Sequence, residues 1–164
     1  MGRLGLLAGA ALMLAACAGG EEEPLTISEV RVETDLAAVG SREAVAYWQR
    51  LSSDLETAIA AQFVGRIDPA GNVITVDVDE LSLNSPFASD ATAETARIAG
   101  RVEMLNPAGT SEGAWDVSAS ATDVATYLPP GSNIVSVPPT SSEYYGAVVR
   151  AFAHGVATTV QAGS

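Results

Sequence analysis

The spacing of hydrophobic and polar positions changes several times along this chain, and each change predicts a new secondary-structure element. Residues 25–34 alternate between apolar and polar positions with one shift of phase, which is typical of a β-strand containing a bulge. From residue 41 to 63 the apolar positions recur every three or four residues, which predicts an amphipathic helix that Gly40 or Ser41 can cap. Its stripe consists of Val45, Trp48, Leu51, Leu55, Ile59 and Phe63.

Three further segments, residues 73–83, 94–105 and 114–122, alternate with a period of two and are separated by loops rich in Pro, Gly and Asn. Each has one apolar face and one polar face, so together they predict a meander of consecutive strands.

The last part of the chain returns to helical spacing. Thr140–Glu143 reads as a capping box, and the helix that it begins is predicted to run to about residue 161. Before it, residues 127–139 contain two Pro-Pro pairs and are incompatible with a regular internal strand or helix. The helical stripe consists of Tyr145, Val148, Val149, Phe152, Val156 and Val160.

The predicted order of elements is β-α-β-β-β-α. Because every strand has one apolar face and each helix one apolar stripe, we expect a two-layer α+β fold. In it, a mainly antiparallel sheet of about four strands carries both helices on one face. The chain of 164 residues has room for one such core, which we assign to a single domain over residues 25–162.

The first 17 residues have a different character. Arg3 precedes an apolar run that is too short for a comfortable transmembrane span but suits the central region of an export signal. The run ends in Leu14-Ala15-Ala16-Cys17, and Cys17 is the single cysteine of the chain. This tetrapeptide resembles the lipobox of bacterial lipoprotein precursors.

The resemblance implies that residues 1–16 are a signal peptide that is removed, and that Cys17 becomes the lipidated first residue of the mature protein. Two or three acyl chains, palmitate among them, would anchor the protein durably, because one chain alone binds reversibly. Residues 17–24 then read as a flexible acidic tether. Ala18, where an aspartate is associated with retention in the inner membrane, favours the periplasmic face of the outer membrane.

Charge narrows the range of partners. The chain has 20 acidic and 8 basic residues, all arginine, and a net charge of -12. Nucleic acids and polybasic membrane contacts require clustered cations, so neither fits this chain. The densest acidic group, Asp77 with Asp79 and Glu80, suggests either a calcium or acid/base site or a solvated sheet face. For the solvated face, a hairpin centred near residue 88 predicts Asp79 opposite Arg97 and Thr75 opposite Arg101.

No catalytic or metal-binding motif is present in the sequence, and His154, the single histidine, has no sequence partner. We therefore expect no enzyme activity and no cofactor. Trp48 and Trp115 occupy apolar-face positions typical of core residues. The Pro-rich loop presents five apolar side chains that can bind a partner or pack over the core, namely Tyr127, Leu128, Ile134, Val135 and Val137.

These observations favour a membrane-anchored, non-enzymatic accessory or scaffold lipoprotein. We expect it to act in envelope assembly or transport through contacts with another envelope protein. The alternative is a binding module for a small ligand, a divalent cation or a lipid.

Overall fold

A computed structural model describes residues 24–164, and Cys17, the predicted signal peptide and most of the predicted tether lie outside this range. The described residues form a four-stranded sheet and five helices, with 3₁₀ turns at Leu36–Ala38 and Ser85–Phe87. The strands are β1 (Ile27–Glu33), β2 (Asn72–Val78), β3 (Ile98–Leu105) and β4 (Ser111–Ala119). The helices are α1 (Arg42–Trp48), α2 (Leu51–Ala61), α3 (Glu80–Leu83), α4 (Ala121–Thr126) and α5 (Ser142–Gly163).

The strands lie in the order β1-β2-β3-β4. β1 and β2 are parallel, while β2–β3 and β3–β4 are antiparallel. A parallel pair needs a long crossover, which α1 and α2 provide between β1 and β2. The predicted α+β fold with a mainly antiparallel sheet of four strands is therefore confirmed.

One side of the sheet contributes to a continuous apolar core that also includes residues of α2 and α5. α5 lies against β3 and β4: a Cβ on Gly100 would come within 3.3 Å of Phe152 Cζ, and one on Gly155 within 3.2 Å of Val117 Cγ1. α2 contacts both α5 and β1. Among residues 24–164, no helix is both long and apolar enough to span a bilayer.

The predicted bulge in β1 is confirmed, whereas the predicted capping box at the start of α5 is displaced by one residue. The register between β1 and β2 shifts between Ile27 and Glu29, where the alternation of the sequence changes phase. The prediction of a capping box at Thr140–Glu143 is wrong by one residue: the N-cap of α5 is Ser141, whose hydroxyl accepts a hydrogen bond of 3.1 Å from the N–H of Tyr144. This bond satisfies one of the free amides of the first turn.

The prediction of one helix over residues 41–63 is wrong, because Gln49 and Arg50 separate α1 from α2. The stripe advances by three residues from Val45 to Trp48 and again to Leu51, which is less than a full turn of 3.6 residues. A break at this point keeps both halves of the stripe directed at the core: Trp48 and Leu51 are both buried.

The prediction of a strand through residue 83 is also wrong. β2 ends at Val78, and the Asp79 side chain accepts a hydrogen bond from the N–H of Leu81, which caps the short helix α3. Similarly, β4 ends at Ala119, where Ser120 and Asp123 form a capping box for α4. In both places an aspartate whose side chain competes for main-chain N–H groups ends the alternating pattern.

The two ends of the sheet differ in the length of their connections. At the end where β1 begins, which we call the tether end, the connections are residues 62–71 and the hairpin 106–110. At the opposite end, which we call the loop end, lie α1, α3 and α4, the segment 79–97 and the loop 127–139.

Candidate functional site

The apolar residues of the Pro-rich loop differ in exposure. Val137 is buried in the core, and Tyr127, Leu128 and Ile134 are partly buried against it. Only Val135 is exposed, at 67%. The structure thus gives four of these five residues a packing role and leaves Val135 available to a partner.

Hydrogen bonds from two side chains outside this loop hold it in place. Arg150 of α5 donates a bond of 2.7 Å to the main-chain oxygen of Tyr127. Tyr47 of α1 donates through its hydroxyl to the main-chain oxygens of Pro139, at 3.2 Å, and Ser141, at 2.9 Å. The loop is therefore fixed near both of its ends by helices that belong to the folded core.

Next to the end of this loop, α1, α2 and α5 enclose a cleft of about 340 Å³. The Tyr145 hydroxyl donates a hydrogen bond of 2.8 Å to Asp54 Oδ2, and Arg50 Nη2 lies 3.3 Å from Asp54 Oδ1. The rings of Tyr47 and Tyr145 meet edge to face, with centroids 5.4 Å apart. The lining consists of Tyr47, Gln49, Arg50, Asp54, Thr140, Ser142 and Tyr145.

Burial determines the proton chemistry of this cleft. Loss of hydration raises the pKa of Tyr145 well above its ordinary value, and the bond to Asp54 raises it further. Loss of hydration likewise raises the pKa of Tyr47. Both phenols therefore remain neutral near pH 7 and can act as hydrogen-bond donors, whereas neither is suited to act as a base there.

The outward face of the sheet carries a row of polar residues that crosses all four strands: Glu33, Asp77, Arg101 and Asp116 are register partners. The prediction that Asp79 lies opposite Arg97, and Thr75 opposite Arg101, is therefore wrong by two residues. The hairpin centre assumed a strand that continues to residue 83, whereas Asp79 leaves the strand to cap α3.

Charges on this open face are only partly compensated. Arg31 bonds to Glu29 at 2.7 Å, which lowers the pKa of that carboxyl, and Arg101 lies 3.6 Å from Asp116. No ion pair within residues 24–164 involves Glu33, Asp77 or Glu103. The open face is therefore hydrated and negative.

Residues 24–164 contain no group of three or more His, Cys, Asp and Glu side chains placed to hold a metal ion. His154 is exposed on α5, with its ring centroid 6.2 Å from that of Tyr127.

The two edges of the sheet are built differently, and the β1 edge is blocked at Ile27 and Val32. The N–H of Ile27 donates to the oxygen of Arg66 at 3.0 Å, and the N–H of Asp68 donates back to the oxygen of Ile27 at 2.9 Å. Further along, the N–H of Val32 donates to Glu56 Oε1 of α2 at 3.1 Å. A neighbouring turn and a helix side chain therefore occupy donors that another strand would need.

The β4 edge is open among the described residues. The oxygen of Ala99 accepts a bond from Asp79 on the β2 side, so alternation directs the main-chain groups of Gly100 toward its β4 partner Val117. By the same alternation, the N–H and C=O groups of Ala114, Asp116 and Ser118 point away from β3. No main-chain or side-chain group of residues 24–164 bonds to them on that side.

Of the two tryptophans predicted to be core residues, Trp48 is fully buried and Trp115 is partly buried against the core.

The cleft itself was not predicted, because Tyr145 and Asp54 are 91 residues apart and no local motif joins them. The available signal was a polar residue, Asp54, beside one apolar stripe and a tyrosine, Tyr145, at the start of the other.

The chain matches no protein-family model, no curated protein and no solved structure.

Proposed function

We propose that this protein is a bacterial lipoprotein, anchored through lipid on Cys17 to the periplasmic face of the outer membrane. In this proposal it is a non-enzymatic accessory or scaffold in envelope assembly or transport and acts through contacts with another envelope protein. The observation that carries the anchor is the sequence Leu14-Ala15-Ala16-Cys17 at the end of an apolar run. The described fold follows it closely, since Pro24 is only seven residues beyond Cys17.

The edge of β4 supports action through protein contacts. An open edge can accept an extended segment of a partner, whose main chain supplies the missing hydrogen bonds. Glu112 and Asp116 lie along β4, and the open face beside it is negative. These charges oppose pairing with a second acidic copy and favour a segment with basic residues at alternate positions.

The anchor is tested in cells that receive a palmitate analogue suited to chemical detection. We expect label on the wild-type protein and its recovery with the outer membrane, and neither for Cys17→Ala, which lacks the acceptor thiol. Label on Cys17→Ala, or an unlabelled wild-type protein in the membrane fraction, would contradict the anchor.

The edge is tested by placing a photoreactive amino acid at Ser118 in the anchored protein. Thr57, exposed on α2, is the matched control position. We expect one crosslinked envelope protein from position 118 and none from position 57. In the same cells Ala114→Pro removes an outward N–H without breaking a bond to β3, so it should abolish the crosslink and leave the fold intact. A crosslink that survives Ala114→Pro would argue against pairing at this edge.

A second candidate function is recognition of a small ligand in the cleft. The favouring observation is the grouping of two neutral phenols, the exposed Arg50 and Asp54 around about 340 Å³. Such a site suits a small molecule with a planar ring and an anionic group. Thermal denaturation with a panel of aromatic carboxylates tests this: a rise in Tm that Arg50→Ala removes supports it, and no rise with any of them rejects it.

A further inference from the structure

We infer that the tether end of the domain lies directly on the lipid surface, with the turn at residues 64–67 in contact with it. This inference rests on the proposed anchor and adds an orientation to it. The starting observation is exposure: Val64 is 81% and Ile67 56% exposed. Among the described residues only two other large apolar side chains are as open, Leu81 at 81% and Val135 at 67%.

Hydrogen bonds fix this turn beside the point where the chain enters the fold. Ile67 forms a bridge with Ile27, three residues after Pro24, through the two bonds that join Ile27 to Arg66 and Asp68. Pro24 and Leu25 also line the same hollow as Arg66. The exposed apolar turn and the entry point of the chain therefore lie together at the tether end.

The length of chain between the anchor and the fold limits where the domain can be. Pro24 is seven residues along the chain from Cys17, and at 3.3–3.6 Å per residue this length spans at most about 25 Å. The entry point is thus held within about one domain diameter of the bilayer. Such a short link gives the neighbouring turn a high effective concentration at the lipid surface.

The other end of the molecule is poorly suited to this contact. Leu81 and Val135 lie at the loop end, which is the opposite end of the sheet from Pro24. The acidic open face would be repelled by anionic lipid, so this face does not compete for the membrane. Val64 and Ile67 can enter the headgroup region, where Arg66 between them can reach phosphate oxygens.

The experiment supplies the anchor chemically, so that its result does not depend on lipidation in the cell. Isotope-labelled residues 17–164 are coupled through Cys17, the single thiol, to a maleimide lipid in phosphatidylcholine nanodiscs that carry a gadolinium headgroup lipid. NMR signal loss is then read for the amides of residues 64–67 and, as the comparison, for Leu81 and Val135. Failure of palmitate labelling in cells would overturn the anchor, whereas this measurement tests the orientation alone.

We expect signals of the turn to be attenuated at least about twofold more than those of Leu81 and Val135, since only the turn approaches the headgroups. Val64→Gln with Ile67→Gln should reduce the difference to what the short link alone imposes, while Leu81→Gln, equally exposed at the other end, should leave it unchanged. A double variant that leaves the difference unchanged would overturn the inference. Equal attenuation at both ends would overturn the inference. Concentration-dependent shifts of the turn signals without gadolinium attenuation would also overturn it, in favour of a second copy as the occupant.

Discussion

The indole N–H of Trp48 donates a hydrogen bond of 2.8 Å to the main-chain oxygen of Leu83, across 35 residues of sequence. Both residues are buried, so this bond joins the end of α1 to α3 inside the core.

Replacing Trp48 by Phe should destabilise the fold by about 2–3 kcal/mol, because it leaves the buried Leu83 oxygen without its donor and removes part of a packed ring. The free energy of unfolding in urea measures the effect. Trp115→Phe, at a partly buried position, should lower it less. Equal losses for the two variants would show that ring volume dominates and that the hydrogen bond contributes little.

Two adjacent tyrosines provide a matched pair. The hydroxyl of Tyr145 bonds to the Asp54 carboxylate at 2.8 Å, whereas the buried hydroxyl of Tyr144 has no partner within residues 24–164. Tyr145→Phe should therefore lower the free energy of unfolding by about 1–2 kcal/mol, and Tyr144→Phe should leave it unchanged or raise it. The same urea titration compares them, and a larger loss for Tyr144→Phe would contradict the assigned bonding.

Stability should fall steeply in alkaline solution. Burial raises the pKa of Tyr144 to about 12, and the pKa values of Tyr47 and Tyr145 are raised as well. The unfolded chain releases these protons first, near pH 10. The stabilisation that comes from the protonated phenols is therefore fully present below about pH 10 and is lost as the pH rises through about 12.

Urea midpoints measured between pH 8 and pH 12.5 test this dependence. Tyr144→Phe should make the decline shallower, because one of the three raised groups is gone. A midpoint that stays constant from pH 9 to pH 12 in the wild type would contradict the burial of the phenols.

Close contact between α5 and β3 depends on Gly100. An added Cβ would lie 2.7 Å from the main-chain oxygen of Asp77 and 3.3 Å from Phe152 Cζ. Gly100→Ala should therefore destabilise the protein by about 1–3 kcal/mol. Gly146→Ala is the control: its Cβ meets open space within α5, and helix propensity predicts a gain of up to about 1 kcal/mol. Thermal unfolding should shift in opposite directions.

Where the apolar pattern was long and regular, the sequence was a sufficient guide. α5 follows its predicted stripe beyond residue 160, and the β1 bulge lies at the change of phase. The two misplaced strand ends share one physical cause, which is local capping by Asp and Ser, whereas the break between α1 and α2 has no side-chain cap and follows the spacing of the apolar stripe. Asp79 and Ser120 continue an alternating pattern in the sequence, yet each begins a short helix, and so the register beyond Asp79 was misplaced by two residues.

The cleft and the open edge could not be read from local patterns. The cleft joins Tyr47, Asp54 and Tyr145 only after three helices pack together. The edge of β4 is open because of its place at the end of the strand order, and the β1 edge is blocked at Val32 by Glu56 from a different element. Both features depend on tertiary topology, which local propensity and hydrophobic periodicity do not encode.

The block at Ile27 and Val32 on the β1 edge also limits stoichiometry. A sheet with two free edges can add strands from both sides and grow into an open-ended chain of molecules, whereas a sheet with one free edge stops after a single addition. Because the Ile27–Ile67 bridge and Glu56 occupy the β1 side, strand addition at β4 would terminate at one partner strand per molecule. Removing the Glu56 carboxylate would therefore affect more than stability. It would free the N–H of Val32 and begin to open a second sheet edge to strand addition, which is a route to fibres.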